Sequence, residues 1–351
     1  MAVTFDVDSD SVLHLTHPRD AHRRLNAQSW LRYDQVAVPR IVAMYQELGL
    51  RQTFFMPGWC IEHYPEIAAS IVDGGQELAI HGYLHELSHE LTPELEENLL
   101  GRIIAAAEHA SGKRPLGWRA PLYSFSSSSP ELLARAGLLY DSSLMGDDVP
   151  YMLDSPGGEL VELPIDTSAD DWAQYAHTYD FDFLLPIRAP DRAIEVFQAE
   201  VDAALEYGGM WIGVFHPFVS GRLSRLARVR TLLEQLLERG DVWVTSLDEI
   251  AAHVVELERT GAWVPRRERV PYYTERVEEL SVLEGARPVG DSTSSAMRAA
   301  GQIKQARQQR ADDLLDHFEG LMRNFARAGA TAACWGGAGQ VLPSVGAPLL
   351  R

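Results

Sequence analysis

The stretch Met1-Ala2-Val3-Thr4-Phe5-Asp6-Val7-Asp8 decides how this chain folds. Residues 1–7 form a β-rich run that ends among carboxylates, the pattern of a buried strand delivering polar groups at its C-terminal end. On an extended backbone alternate side chains share a face, so Asp6 and Asp8 point the same way. Two carboxylates therefore occupy one site.

Outward from this strand, β and α signals alternate. Pro39 marks the first turn of a helix that carries Val38, Ile41, Val42, Tyr45 and Leu48 and stops at Gly49. A strand is expected at 53–56, a helix at 65–73 closed by Gly74 and Gly75, and a strand at 78–80. Thr92 and Pro93 open a helix running to about residue 110, and Ser129 and Pro130 open another. Further strands are expected at 116–120, 138–140, 160–165, 211–215 and 242–245, with helices over 193–207 and 223–238. Short apolar strands alternating with amphipathic helices imply a parallel sheet covered by helices, of the α/β class. About seven such strands favour closure into a distorted (β/α) barrel, with a doubly wound open sheet as the alternative. Chemistry is then sought just after each strand.

From residue 265 onward strand signals cease, a Ser-rich stretch spans 291–295, and a long helical pattern covers 296–328. Ile303, Ala306, Arg310, Leu314, His317 and Leu321 lie along one face of it. The expected organisation is a barrel over 1–258 and a helical C-terminal extension over 259–351 that packs on the barrel or joins subunits.

With 351 residues, 46% of them hydrophobic, the chain can bury a large core. Its 31 Lys and Arg against 50 Asp and Glu give a net charge of −19, which disfavours nucleic acid and anionic membrane surfaces as partners. Cys60 and Cys334 are the two cysteines and lie far apart, so neither a disulfide framework nor a thiolate zinc cluster is indicated. No basic start followed by an apolar run precedes the first strand, so a cytoplasmic location is expected.

His81 and His85 follow the strand expected at 78–80 with a spacing of four, which on a helical turn brings both imidazoles to one side. His85 and His89 are a rival pair of the same spacing, and His81 is preferred because it directly follows the strand. One carboxylate and two imidazoles make a facial set of three ligands that leaves room for water and substrate. The other carboxylate is then free to take a proton from water.

Four runs, Thr4-Phe5-Asp6-Val7-Asp8, His81-Gly82-Tyr83-Leu84-His85, Trp118-Arg119-Ala120-Pro121 and His216-Pro217, resemble in this order the motifs of polysaccharide deacetylases, the NodB-homology enzymes of carbohydrate esterase family four. The resemblance covers about residues 1–255. It implies that Asp8, His81 and His85 are metal ligands, Asp6 the general base, Arg119 the group that keeps that base ionised, and His216 the general acid. It also implies a backbone N–H near Tyr123 as an oxyanion donor. Zinc is the first expectation for two His and one Asp, and cobalt, nickel, iron or manganese fit the same ligands.

Val7 separates the two acidic residues, which are adjacent in the best-known members, and Gly82 stands where Ser or Thr is usual. These departures, with Tyr140-Asp141-Ser142-Ser143-Leu144 and the run His216-Pro217-Phe218-Val219-Ser220-Gly221-Arg222, resemble a divergent branch. That branch holds peptidoglycan deacetylase-like proteins and relatives of allantoinase and cyclic-imide hydrolases, the latter cytoplasmic oligomers, which implies a homo-oligomer. The expected activity is metal-dependent hydrolysis of a non-peptide carbon–nitrogen bond, of an N-acetyl sugar or oligosaccharide first, and alternatively of a small cyclic amide. A barrel that only binds carbohydrate is a third reading, opposed by the intact set of motif residues. Trp59, Tyr83 and Tyr123, with Tyr151 and Trp172, are the aromatics expected to meet the substrate.

Overall fold

A computed structural model of the protein describes residues 1–275. The helical pattern expected over 296–328, with its face from Ile303 to Leu321, lies outside the described residues. The compact unit runs from Met1 to Thr274.

Eleven strands occur among the described residues: β1 (Ala2–Asp6), β2 (Thr53–Met56), β3 (Glu77–Ile80), β4 (Gly117–Trp118), β5 (Tyr140–Asp141), β6 (Tyr151–Ser155), β7 (Gly158–Glu162), β8 (His177–Thr178), β9 (Phe183–Leu184), β10 (Ile212–Phe215) and β11 (Arg267–Arg269). Nine build one sheet in the order β10-β1-β2-β3-β4-β5-β7-β6-β11, and β8 with β9 forms a separate hairpin. From β10 to β7 seven neighbouring strands run parallel, as expected. The antiparallel β6 and then β11 extend the sheet beyond them.

Every residue of β1, β2, β3 and β10 is buried, because helices cover one face and side chains of the rolled sheet meet on the other. Phe5 stacks on Phe54 at 5.8 Å and meets Phe215 edge-on at 5.9 Å. The roll itself can be read from one contact. Arg119, just after β4, donates to the Thr4 hydroxyl of β1 at 2.8 Å. In a flat sheet these strands would stand about 14 Å apart, three spacings of roughly 4.8 Å, farther than an arginine reaches. The sheet therefore curls into an incomplete barrel, with its interior facing the C-terminal strand ends.

The helix Pro65–Asp73 begins on its proline, and Pro93–Ser111 begins after Thr92, whose hydroxyl accepts from the Leu95 amide at 3.3 Å. Among the described residues no helix is long and apolar enough to cross a membrane.

Three expectations need correction. The segment 242–245 is not a strand: β1 already has β2 and β10 on its two edges, so this segment meets only its end, through Thr245 N–H to the Met1 carbonyl (3.1 Å) and the Met1 amino group to Trp243 O (2.7 Å). Pro39 is not in a first turn. Its helix spans Asp34–Leu48, because the Tyr33 carbonyl already accepts the amides of Val36 and Ala37. The strands themselves do not cease at 265 either, since β11 lies beyond it.

Glu77, which opens β3, is buried and accepts from the Thr53 hydroxyl (2.5 Å), the Tyr140 hydroxyl (2.9 Å) and the Asp248 amide (3.1 Å). Burial, and then the charge of Asp248, push its pKa from 4.5 up to about 8. A folded pKa above the unfolded one means that the stability this group contributes is complete below pH 4.5 and is lost as pH rises through about 8. Urea unfolding across that window should show the loss, at most roughly 1.4 kcal/mol per pH unit from one proton. Glu77→Gln should flatten the slope; an unaltered slope would mean that Glu77 ionises as easily folded as unfolded.

Candidate active site

The strand ends converge as barrel geometry requires. Asp6 and Asp8 come from the end of β1, His81 and His85 from beyond β3, Arg119 from beyond β4 and His216 from beyond β10. All six are buried. Five of them, Asp6, Asp8, His81, His85 and His216, line one cavity of about 520 Å³. Its remaining wall is largely apolar: Val12, Leu122, Trp172, Phe181, Phe183 and Phe218.

Asp8 stands at the centre. Its carboxylate oxygens lie 3.4 Å from His81 Nε2, 3.5 Å from His85 Nε2 and 3.6 Å from His216 Nε2. Burial works to raise its pKa, but the imidazoles of His85, His81 and His216 together hold it well below the usual carboxylate range. Among the described residues the buried Asp8 Oδ1 has no hydrogen-bond partner. His81 Nδ1 donates to the Arg119 carbonyl at 2.7 Å, which fixes the tautomer and leaves the Nε2 lone pair facing the carboxylates. Burial lowers the pKa of His81 against the pull of Asp6 and Asp8, so its imidazole is neutral. For His85 the charge of Asp8 overcomes burial and raises the pKa. One ligand atom from each of Asp8, His81 and His85 lies within 4.8 Å of the others. An orphaned carboxylate oxygen and two imidazole Nε2 atoms at such separations are a donor set that fits a divalent cation.

The loop that carries the two histidines is not a helical turn. Gly82 (φ +65°) and His85 (φ +69°) are left-handed, and the Glu86 carboxylate accepts the amides of Tyr83 (2.8 Å) and Leu84 (2.6 Å). A Cβ on Gly82 would sit 2.7 Å from Pro121 Cγ, so glycine is required by backbone angle and by space. His89 is exposed in the 3₁₀ turn that follows, and the rival pair with His85 does not form.

Asp6 is differently placed. Its Oδ1 accepts from Arg119 Nη1 at 2.7 Å, while its Oδ2 lies 3.9 Å from His81 Nε2. Across the cavity, His216 donates from Nδ1 to Asp171 at 2.7 Å, and the His216 amide binds the same carboxylate at 3.0 Å. Burial opposes protonation of His216, but Asp171, then Asp170 and Asp8, raise its pKa well above 6.5. Asp170, Asp171 and His216 also lie within metal-ligating reach of one another, yet the Nδ1–H bond to Asp171 marks a proton-linked pair.

Of the expected aromatics, Tyr123 and Trp172 line the cavity. Trp59 instead stacks on His63, and Tyr83 donates to Glu62 beneath the Arg102 guanidinium; neither is part of the cavity wall. Tyr151 belongs to β6, under Arg266. The Tyr123 amide is already committed to the Ala120 carbonyl (2.9 Å) and its hydroxyl to Asp170 (2.7 Å). Among the described residues no hydrogen bond engages the neighbouring N–H of Leu122, whose φ of +49° is left-handed.

Sequence reading missed Asp171, Asp34 and Glu86. Asp34 accepts the Ser9 amide and hydroxyl, both at 3.0 Å, and so fixes the turn after Asp8; burial and the charge of Asp8 raise its pKa well above 3.8. Asp171 is placed by its amide, which donates to Val214 of β10 at 3.0 Å. The only local signal was the acidic pair Asp170-Asp171 before an aromatic residue.

Comparison with known proteins points to one family. The polysaccharide deacetylase family model matches residues 27–140. The crystal structure of a Mycobacterium smegmatis protein assigned as a polysaccharide deacetylase is 40% identical, superposes with a TM-score of 0.72, and the match covers 78% of this chain and 94% of that one. A peptidoglycan deacetylase-like protein of Gibberella zeae is 40% identical over 141 residues, 39% of this chain and 41% of that protein. The peptidoglycan deacetylase of Helicobacter pylori is 35% identical over 139 residues, 39% of this chain and 47% of that protein. The chain thus spans less than half the length of either of these two relatives.

Removing the Arg119 guanidinium leaves Asp6, Thr4 and Ser142 facing a void. Arg119→Met should destabilise the protein by about 3–5 kcal/mol in denaturant unfolding, the usual cost of breaking a buried ion pair from one side. A loss within the range of ordinary surface substitutions would show that the pair is not the anchor described here.

Proposed function

Since this chain belongs to the polysaccharide deacetylase family, we propose that it hydrolyses the acyl–nitrogen bond of N-acylated saccharides with a divalent cation, zinc first, held by Asp8, His81 and His85. The observation that carries this reading is the convergence, in one cavity, of that donor set with a separate carboxylate and a separate protonated imidazole. When bound, the cation supplies Lewis acidity toward the amide carbonyl and toward water.

Asp6 differs from Asp8 in its partner. Arg119 fixes one of its oxygens and leaves the other turned to the cavity, where it takes the proton of the attacking water. The N–H of Leu122 is free to donate to the oxyanion that develops on the carbonyl. His216, kept charged by Asp171, gives its Nε2 proton to the leaving nitrogen, which would otherwise depart as a poor amide anion. The Asp171 bond to Nδ1 holds the ring so that Nε2 faces Asp8 and the cavity.

One observation favours a second reading. The apolar side of the cavity, from Val12 to Phe218, suits a small cyclic amide as well as the face of a sugar. Full-length protein of measured metal content separates the two. Acetate released from a chitooligosaccharide supports the saccharide reading, whereas ring opening of allantoin, hydantoin or succinimide without acetate supports the other. Hydrolysis of neither class by metal-loaded protein would refute both.

Asp8→Ala and His81→Ala should each lose bound zinc, while Asp6→Asn should retain it and lose turnover by two or more orders of magnitude, the usual range for a general base being about 10²–10⁴. Zinc-free Asp6→Asn protein would show the two carboxylates in exchanged roles. The pH profile tests His216. A general acid must hold its proton, so activity is lost above its pKa, and the raised value extends activity into the alkaline range. Asp171→Asn removes the charge that raises it, so the alkaline limb should move to lower pH while zinc content is kept. An unmoved limb would exclude His216 as the acid.

A further inference from the structure

Two buried acids stand outside the catalytic cavity and have no part in the mechanism: Asp141 of β5 and Glu162 of β7. They are register partners on neighbouring parallel strands, so their side chains share a face with backbones about 4.8 Å apart. Among the described residues neither makes an ion pair, and each has no solvent exposure. From β4 the register partner of Asp141 is Trp118, which carries no charge. On the far side of Glu162, β6 brings Tyr151, in register with it, and the chain beyond β11 brings Tyr272. Arg266 covers the Tyr151 ring at 4.4 Å and is paired with Asp147 at 2.7 Å. The helix Ser129–Arg135, packed on β6 and β7, carries Glu131 and Arg135, which pair with each other at 3.8 Å. Both of these guanidinium groups are thus engaged elsewhere.

The hydrogen bonds assign the protons. Ser143 donates twice to Asp141, from its hydroxyl to Oδ1 (2.7 Å) and from its amide to Oδ2 (3.1 Å), so both oxygens of Asp141 act as acceptors. Glu162 Oε1 accepts the Leu144 amide at 3.0 Å, while among the described residues its buried Oε2 has no hydrogen-bond partner. Two ionised carboxylates side by side out of water repel each other and lose their hydration. One proton on Glu162 Oε2 removes a charge and turns the orphaned oxygen into a donor toward Asp141. In accord with this, burial and then the charge of Asp141 push the Glu162 pKa well above 4.5, whereas burial raises Asp141 only to about 6, against the bond from Glu162. The adjoining residues reach the catalytic machinery. Ser142 accepts from Arg119 at its carbonyl (3.0 Å) and its hydroxyl (2.9 Å), and Ser143 Oγ accepts the Ala120 amide at 2.8 Å. Arg119 in turn holds Asp6, and the Ala120 carbonyl receives the Tyr123 amide in the turn that presents the Leu122 N–H.

We propose that Asp141 and Glu162 share one proton, carried by Glu162, and that this pair sets the segment 142–144 so that it holds Arg119 and the turn after it in the arrangement turnover requires. Both acids are positioning residues, since neither lines the catalytic cavity. Their role in turnover rests on the deacetylase reading above. The two acids differ in what they tolerate. An amide in place of Glu162 still accepts the Leu144 amide with its oxygen and donates to Asp141 with its nitrogen. An amide in place of Asp141 sets an N–H donor against a donor of Ser143, because both of the oxygens it replaces were acceptors.

The test uses the full zinc-loaded chain. Infrared difference spectra of wild type against Glu162→Gln near neutral pH should show the C=O stretch of a protonated carboxyl group in the wild type alone; a difference without that band overturns the shared proton. In acetate release from a chitooligosaccharide, Glu162→Gln should keep kcat near the wild-type value. Asp141→Asn should lower kcat about tenfold or more, the scale of one unsatisfied buried donor, with KM and zinc content unchanged. Ser143→Ala leaves both acids in place and cuts their link to Ala120, so it should lower kcat in the same way and serves if Asp141→Asn does not fold. A kcat that falls as far in Glu162→Gln as in Asp141→Asn, a kcat unchanged in Ser143→Ala, or a loss of kcat that only follows a loss of zinc would each overturn the positioning role. If the infrared band is present and the wild type releases no acetate, the shared proton stands and the deacetylase reading falls.

Discussion

The Arg119 guanidinium has no solvent exposure, and a cation taken wholly out of water costs several kcal/mol unless its N–H groups are met. It donates from Nε to the Ser142 carbonyl (3.0 Å), from one terminal nitrogen to Thr4 (2.8 Å) and Asp6 (2.7 Å), and from the other to the Ser142 hydroxyl (2.9 Å), with the Phe55 ring 4.2 Å away. Those partners come from β1, β2 and the segment after β5, so the sheet can satisfy the cation only when rolled. The same residue reaches the chemistry twice: its side chain orients Asp6, and its backbone carbonyl holds the proton of His81 away from the cavity. Curvature of the sheet and readiness of the site are thus one constraint.

Around that anchor the ionisable groups are pushed apart in proton affinity by what each touches. Asp8, between three imidazoles, is the carboxylate held most firmly without a proton, while Asp34 behind it is driven the other way by burial and by Asp8 itself. Asp170 is raised to about 6, chiefly by burial and with His216 pulling against it. Burial keeps His81 neutral, whereas His216, also buried, is kept charged because the Asp171 carboxylate faces its Nδ1. The carboxylate behind the second ring therefore outweighs the burial that prevails at the first.

What could be read in the sequence was what depends on short range. The two carboxylates of β1 follow from strand alternation, and Pro65–Asp73 follows from its proline and the glycines after it. The motif residues were found, but the way His81 and His85 come together was not, because the local signal of a spacing of four ignores a left-handed glycine. Asp171 had no local signal beyond its pairing with Asp170: its position depends on the hydrogen bond from its amide to the Val214 carbonyl, which joins segments far apart in the chain. Strand β11 reads Arg-Glu-Arg, and an edge strand carrying charges lacks the apolar pattern by which strands are recognised. Tyr83 lies between the two motif histidines in sequence yet turns to helix partners outside the cavity, which adjacency cannot reveal.

The tight approach of Gly82 to Pro121 ties together the histidine loop and the loop after β4. Neither position can drift alone. A relative bearing Ser or Thr at the first slot has to carry the second loop farther out or give up the left-handed backbone, so the two sites should substitute in concert across lineages. The bare backbone at residue 82 is then a fingerprint of how closely a given member has drawn these two loops together.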